Sequence, residues 1–401
     1  MLQLEEAVTR ILDVIPAPQP EKIPLAESYG RIAARDLAAP LDLPVFDNSS
    51  MDGYAVRSGD LATASEKTPV PLRLIGRLAA GDAPQLKVNS GECVRVFTGS
   101  PIPEGADAVV MQEDTRADTQ QQEIIAILSS VEPGENIRWR GEDIPAGTRL
   151  IAGGDRVTAG RMALLAAVGL GELEVGRRPV VGLVATGSEL REPGQTLRPG
   201  EIFESNRVAL SALVRAAAGE ARVYPLIRDT LPATREALSS AMDACDIVVT
   251  SGGVSVGEMD FVKSAFLEIG GTVDYWKVAV KPGRPFVFGQ KGGKFLCGLP
   301  GNPISALVTF LLLVRPAILR FQGATGVSLP SVIGELVEPL VNSGTRRHFM
   351  RVVVQPDGKV ASAGMQASHA LSSSATANGL VDVPPETSWG AGTKVRVLRW
   401  E

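Results

Sequence analysis

Apolar residues recur at helical spacing over the first fifteen positions, where Leu4, Val8, Ile11, Leu12 and Ile15 share a face. That pattern predicts an amphipathic helix, ended by Pro16, Pro18, Pro20 and Pro24. Residues 25–36 read as a second short helix. From Pro40 to Asp143 the pattern changes to short β-like runs cut by Gly and Pro, such as Cys93-Val-Arg-Val-Phe97 and Ala108-Val-Val-Met111. These predict a separate, mostly β domain. Thr158 to Val168 is Ala-rich and helical in character, with Gly169 as its stop.

From Arg178 to about Gly323 strand and helix alternate. Val180-Val-Gly-Leu-Val184 and Ile247-Val-Val-Thr250 read as buried strands, and 207–218, 260–269 and 303–320 as helices. Such alternation predicts a layered α/β domain with a parallel-rich sheet, whose ligands sit at the carboxyl ends of the strands. The last segment returns to β character, with Pro356-Asp-Gly358 as a hairpin turn and an alternating run from Lys394 to Trp400. At 401 residues the chain exceeds one typical core, which agrees with several domains.

Three glycine-rich loops punctuate the α/β region: Ser251-Gly-Gly-Val-Ser-Val-Gly-Glu-Met-Asp260, Lys281-Pro-Gly-Arg-Pro285 and Gly298-Leu-Pro-Gly-Asn-Pro-Ile-Ser305. The first and last follow apolar runs and precede helical patterns, so bare backbone amides fall at helix N-termini, where anions bind. The first is neither a Walker A loop nor a GxGxxG turn. Taken singly, each loop is equally a plain turn or a capped helix start, with Asn302 as N-cap and Pro303 at the first helical position. Lys281 and Arg284 are either a solvated pair or a held pair of cations. Asp260 either favours a helix dipole or ligates Mg²⁺. Together the three loops suit a phosphate or another oxyanion.

Charge and composition narrow the chemistry. A net charge of −5 argues against non-specific nucleic-acid or acidic-membrane binding, although Lys277, Lys281 and Arg284 cluster locally, as do Arg346, Arg347 and Arg351. Cys93, Cys245 and Cys297 form no CxxC, so neither a zinc site nor a disulfide framework is expected, and a reducing cytoplasm fits. The apolar run from Ile304 to Val314 is too short to span a bilayer. With only two histidines, His348 and His369, both read as satisfied or exposed polar residues, the chemistry falls to carboxylates, cations, amides and a bound ion.

Eight segments, in order, resemble one family, the molybdopterin molybdenumtransferases, which include the E domain of gephyrin. They are FDNSSMDGYAV (46–56), VFTGSPIPEGADAVVMQED (96–114), NIRWRGEDI (136–144), ATGSEL (185–190), SNR (205–207), SGGVSVGEMD (251–260), WKVAVKPGRPFVFG (276–289) and GLPGNPISA (298–306). The resemblance implies a multidomain α/β and β protein. Its parts are a helical connector (1–45 plus 143–177), an inserted β-rich domain (46–142), a central α/β molybdopterin-binding domain (178–326) and a C-terminal β-barrel (327–401). It implies a homodimer, whose site is shared between the α/β and C-terminal domains of one protomer and the β-rich domain of the other. The implied reaction inserts molybdate into adenylylated molybdopterin and releases AMP, with Mg²⁺ assisting.

By matching motif, Asp52, Thr98, Asp143, Glu189, Asp229, Asp260, Lys277 and Lys281 fall at the family's active-site positions, with Asp260 and Glu189 toward Mg²⁺. Ser251, Gly252, Gly253, Pro300 and Pro303 fall at substrate-binding positions. The molybdate pocket is expected from Lys281, Arg284, Pro285, Ser305, Arg351 and Ser368. Arg284 stands where many relatives have Lys, which keeps the charge and adds a planar fork. Two alternatives are a molybdopterin-adenylylating enzyme, which shares the SGG loop but is essentially the α/β domain alone, and a gephyrin-like scaffold, expected to need a further fused domain. The adenylylating enzyme is also the expected contact partner for substrate delivery.

Overall fold

The computed structural model describes residues 1–117, 123–253 and 261–400. The chain divides into two compact units, one of 1–35, 153–158 and 172–401 and one of 36–152 and 159–171.

The first unit is built on a six-stranded sheet. Its strands are β1 (Val180–Ala185), β2 (Glu220–Val223), β3 (Ile247–Ser251), β4 (Thr272–Lys277), β5 (Pro285–Lys291) and β6 (Lys294–Leu299), in the order β2-β1-β3-β6-β5-β4. The first four in that order are parallel and the last two run as an antiparallel meander. Strands buried on both faces need apolar residues at successive positions. Accordingly Val181, Leu183, Ile247, Val249, Phe295 and Cys297 enter one core, and Val184, Val248 and Leu296 the other.

Helices α1 (Leu4–Val14), α2 (Asn206–Ala216) and the Pro303–Phe321 helix cover the first face. Helices α3 (Leu231–Ala244) and α4 (Phe261–Glu268) cover the second. The Pro303–Phe321 helix continues past the expected apolar run, through a π-helical stretch at Phe310–Val314. It is long and apolar enough to cross a membrane, but it lies buried in this core.

A closed five-stranded barrel completes the unit. Its strands are β7 (Ser331–Leu336), β8 (Arg347–Val354), β9 (Lys359–Ser362), β10 (Gly379–Val383) and β11 (Lys394–Arg399), joined as β8-β9-β7-β11-β10 and back to β8. Closure leaves no free edge within the ring. The short strand Val280–Lys281 pairs in parallel with Arg347 and His348, so the barrel holds the loop that carries Lys281.

The expected helix over 25–36 is only a single 3₁₀ turn at Leu25–Glu27. Gly30 takes a φ of +75°, and buried Arg31 donates to the Gly176 carbonyl at 2.9 Å. Ile32 and Ala33 then form bridges to Arg156 and Val175. Tertiary pairing has overridden local preference.

The second unit carries a mixed six-stranded sheet, in the order Ala108–Met111, Gly53–Val56, Glu92–Val96, Val70–Leu78, Ile124–Ile127 and Thr115–Ala117. Apolar clusters lie on both of its faces. The expected helix before Gly169 is present at Ala159–Ala167.

Candidate active site

The carboxyl ends of β1, β3 and β6 are in register, with Ala185 beside Ser251 and Ser251 beside Leu299. The chain leaves β1 toward β2 on one side and returns to β3 on the other, so a topological switch point lies there. At this point opens a cleft of about 810 Å³. Thr186, Gly187 and Glu189 line it after β1, Ser251, Gly252 and Gly253 after β3, and Pro300 to Pro303 after β6. Asn206, Asp229, Phe203, Pro285 and His369 contribute from other segments.

Gly252 and Gly253 have φ values of +87° and +67°. A Cβ on the first would lie 2.8 Å from the Thr186 carbonyl oxygen, and on the second 2.6 Å from Val262 Cγ2. Only glycine makes this turn without displacing its neighbours.

Carboxylates dominate the polar wall. Asp229 Oδ2 accepts the Ser188 N–H at 2.9 Å, while the Asp229 N–H donates to Ser188 Oγ at 3.3 Å. Asn206 Nδ2 donates to the Gly301 carbonyl at 2.8 Å and ties two walls together. Arg207, beside it, is buried and fully spent: it donates to both Glu192 oxygens at 2.8 Å, to Glu204 at 3.1 Å and to the Tyr224 carbonyl. Glu189, Glu204 and Asp229 thus line the cleft, with no Lys or Arg among its described lining residues.

A second cleft of about 480 Å³ has the opposite character. Lys281, Arg284 and Arg346 line it with Gly283, Ser305, Gln366 and Ser368, and no carboxylate is among the described lining residues. Burial, and then the charge of Arg284, hold the Arg346 guanidinium below its ordinary pKa, the mark of cations crowded with no anion between them. Gly283, at φ +97°, lies so close to the Pro303–Phe321 helix that a Cβ would stand 2.2 Å from Thr309 Oγ1.

The two clefts share a wall. Pro285 and Pro303 face the acidic one, Arg284 and Ser305 the basic one. Asn302 was expected to cap the helix, but its side chain makes no capping bond; its Nδ2 donates instead to Ser368 Oγ at 3.2 Å. The Ile304 N–H donates to the Ser368 carbonyl at 3.1 Å. Ser368 therefore lies on the basic cleft and fastens the barrel's 365–368 loop to the start of the Pro303–Phe321 helix.

Arg351 sits beneath that loop and is fully buried. It donates to Ser373 Oγ at 2.8 Å and to the carbonyls of Met365 and Ala367 at 2.7 and 3.2 Å. Burial pushes its pKa down to about 10. His348 is neither exposed nor satisfied: it is buried, its Nε2 has no partner among the described residues, and its pKa falls to about 4. Burial is the main cause, followed by the charges of Lys281, Arg351 and Arg346. Lys277 lines neither cleft but a recess with Met1, Leu2, Arg10 and Trp276.

In the second unit, Asp52 Oδ1 accepts the Thr98 N–H and Oγ1–H at 2.8 and 2.9 Å. The backbone bond first, then the hydroxyl and the charge of Arg95, hold the Asp52 carboxyl below the usual carboxylate range. Asp143 is exposed, with its N–H donating to the Leu43 carbonyl. Asp260 lies outside the described residues. Among the described residues no group of three or more His, Cys, Asp or Glu could by itself hold a metal.

Sequence reasoning did not assign Gln366, Arg346, Asn206 or His369 to a site. Arg346 was visible as part of a basic cluster. Gln366, which exchanges hydrogen bonds with the Arg351 backbone at 2.9 Å, carried no local signal.

Three family models cover most of the chain: the MoeA N-terminal region (domain I and II) over residues 2–169, a probable molybdopterin binding domain over 182–320, and the MoeA C-terminal region (domain IV) over 334–400. The molybdopterin molybdenumtransferase of Haemophilus influenzae is 38% identical over 94% of this chain and 93% of its own length. Molybdopterin molybdenumtransferase 2 of Mycobacterium tuberculosis is 38% identical over 99% of both chains. Among solved structures, the molybdopterin biosynthesis MoeA protein of Pyrococcus horikoshii matches with a TM-score of 0.84 at 30% identity over the full length of both chains. The acidic switch-point cleft, the basic cleft beside it and these full-length matches agree, and the chain belongs to the MoeA family of molybdopterin molybdenumtransferases, enzymes of molybdenum cofactor biosynthesis.

Proposed function

We propose that this enzyme inserts molybdate into adenylylated molybdopterin and releases AMP. The observation that carries the reading is the pair of clefts of opposite charge across one wall: a large acidic cleft at the switch point and a small one lined by three cations. Molybdate is a tetrahedral dianion, and Lys281, Arg284 and Arg346, with Ser305 and Ser368, supply the donors such an ion requires. The larger cleft takes the pterin, with Gly252 and Gly253 letting its phosphate approach the backbone. Arg284 and Pro285 are adjacent on the shared wall, so oxyanion and pterin are held next to each other, which supplies the proximity that insertion needs.

Mg²⁺ fits the acidic cleft, because it binds through one or two carboxylates plus substrate phosphates. Glu189 and Asp229 offer the oxygens, joined in this reading by Asp260. Held there, the ion would supply charge neutralisation at the phosphoanhydride. The reading includes a homodimer in which Asp52, Thr98 and Asp143 serve the cleft of the other protomer.

Mixing the protein with Mg²⁺, molybdate and adenylylated molybdopterin tests it. AMP release that depends on molybdate is the expected result; AMP release indifferent to molybdate, or consumption of ATP, overturns it. The dimer has its own check. Asp52→Ala and Asp229→Ala variants, each inactive alone, should recover activity when their subunits are exchanged, and no recovery removes the shared site.

A further inference from the structure

Strand β8 presents its main-chain groups along two edges. One is paired with β10 from His348 to Val352. The other is shared: Val352 to Val354 pair with β9, while Arg347 and His348 pair with Val280–Lys281. Because β9 ends at Ser362, no strand among the described residues meets this edge at Arg351. A strand residue without a strand partner leaves an N–H and a C=O to be satisfied in another way.

The side-chain amide of Gln366 fills that place. Its Oε1 accepts the Arg351 N–H and its Nε2 donates to the Arg351 carbonyl, both at 2.9 Å. The Nε2 group also lies 3.1 Å from both Ser362 Oγ and the Gly364 carbonyl. Such an amide carries two hydrogens, and both have acceptors within the protein, so Gln366 lines the basic cleft without being a donor to its occupant. Ser368, further along the same loop, is the donor there. Its Oγ accepts from Asn302, which leaves the hydroxyl hydrogen to be given to a ligand.

We propose that Gln366 is a positioning residue for the oxyanion: by standing in for a strand partner at Arg351, it sets Ser368 at the distance from Lys281 and Arg284 that a tetrahedral dianion spans. This rests on the function proposed above. The strand that carries Lys281 and the amide of Gln366 sit on one edge of β8, so β8 fixes the spacing between them. The Arg351 guanidinium grips the Met365 and Ala367 carbonyls from beneath, and the amide fixes the loop's place along the strand. Donors already held in place bind an ion more tightly than mobile ones, because less ordering is left to be done on binding.

Gln366→Met keeps the length of the side chain and removes the amide. Calorimetric titration of the full chain with molybdate should show binding weakened roughly ten-fold, the scale of one hydrogen bond. AMP release at saturating molybdate should stay within about two-fold of the natural rate. Asn378 supplies the control, because its amide makes the matching pair of bonds with the Val354 N–H and carbonyl at 2.8 and 3.0 Å, away from the cleft. Asn378→Leu should lower the melting temperature about as much as Gln366→Met while leaving molybdate binding within about two-fold. Unchanged molybdate binding in Gln366→Met overturns the proposal, as does equal weakening in Asn378→Leu, which would make the effect one of barrel stability. Should Gln366→Met not fold, Gln366→Asn, with the amide on a shorter stem, is read by the same two outcomes. AMP release by the natural protein that ignores molybdate would overturn the proposed function, whereas the molybdate titrations would still decide the role of Gln366.

Discussion

The two clefts are built from overlapping stretches of chain yet have opposite chemistry. The larger is acidic and formed mainly by the strand ends of the α/β sheet; the smaller is basic and needs the barrel to close it. In the first, the ionisable groups are spread and partly engaged, as Asp229 is with Ser188. In the second, Arg284 and Arg346 repel each other across the opening. A cleft of crowded like charges is costly until an opposite charge enters, so it discriminates by charge. A roomy cleft with scattered polar groups and glycine turns discriminates by shape. Under the proposed function, one surface thus sorts a small oxyanion from a large heterocycle.

The strongest way to break this contrast is to reverse one charge. Arg284→Glu should raise the molybdate concentration for half-maximal AMP release about a hundred-fold, from the loss of a charge-assisted contact plus added repulsion. A shift under about five-fold would mean that the oxyanion binds elsewhere.

Arg351→Lys probes the support under the basic cleft. An ammonium on a flexible stem cannot reproduce three fixed guanidinium bonds, so denaturant unfolding should show a loss of about 2 kcal/mol. Asp229→Asn acts on the other side. It should slow AMP release by at least about a hundred-fold, as expected for a carboxylate lost from a Mg²⁺ site, while leaving the molybdate dependence within about two-fold. Parallel changes in both quantities would erase the distinction between the clefts.

The smallest effect concerns pH. The folded-state pKa of His348 is about 4, against 6.5 for the free side chain, so the unfolded chain takes up the proton first as pH falls. Its contribution to stability is full above about pH 6.5 and is lost as pH falls toward 4. By pH 5.5 the loss is about 1 kcal/mol. Melting curves from pH 7 to 5.5 should show this slope, and His348→Gln should flatten it.

Local pattern revealed β1, β3 and the glycine turns after them, because buried parallel strands are apolar throughout and the turns need glycine. Helix α3 went unassigned; it opens Leu231-Pro232, with the proline well placed in the first turn. The basic cleft was half legible. Lys281, Arg284 and Ser305 lie in marked loops, but Gln366 and Ser368 reach them only because the barrel closes and Val280–Lys281 joins its strand β8. Such long-range pairing leaves no period in the sequence. Arg351 illustrates the same limit: its charge was visible, but its burial under the 365–368 loop was not.

The hydrogen bond from Asn302 to Ser368 joins a residue of the acidic cleft's lining to a residue of the basic one's. In the proposed reading, that bond makes the two clefts candidates for coupled binding equilibria. Under the proposed function, a displacement of Ser368 by the oxyanion would strain its hydrogen bonds to Asn302 and Ile304 at the start of the Pro303–Phe321 helix. Thermodynamic reciprocity demands that the two occupants alter each other's affinity by the same factor.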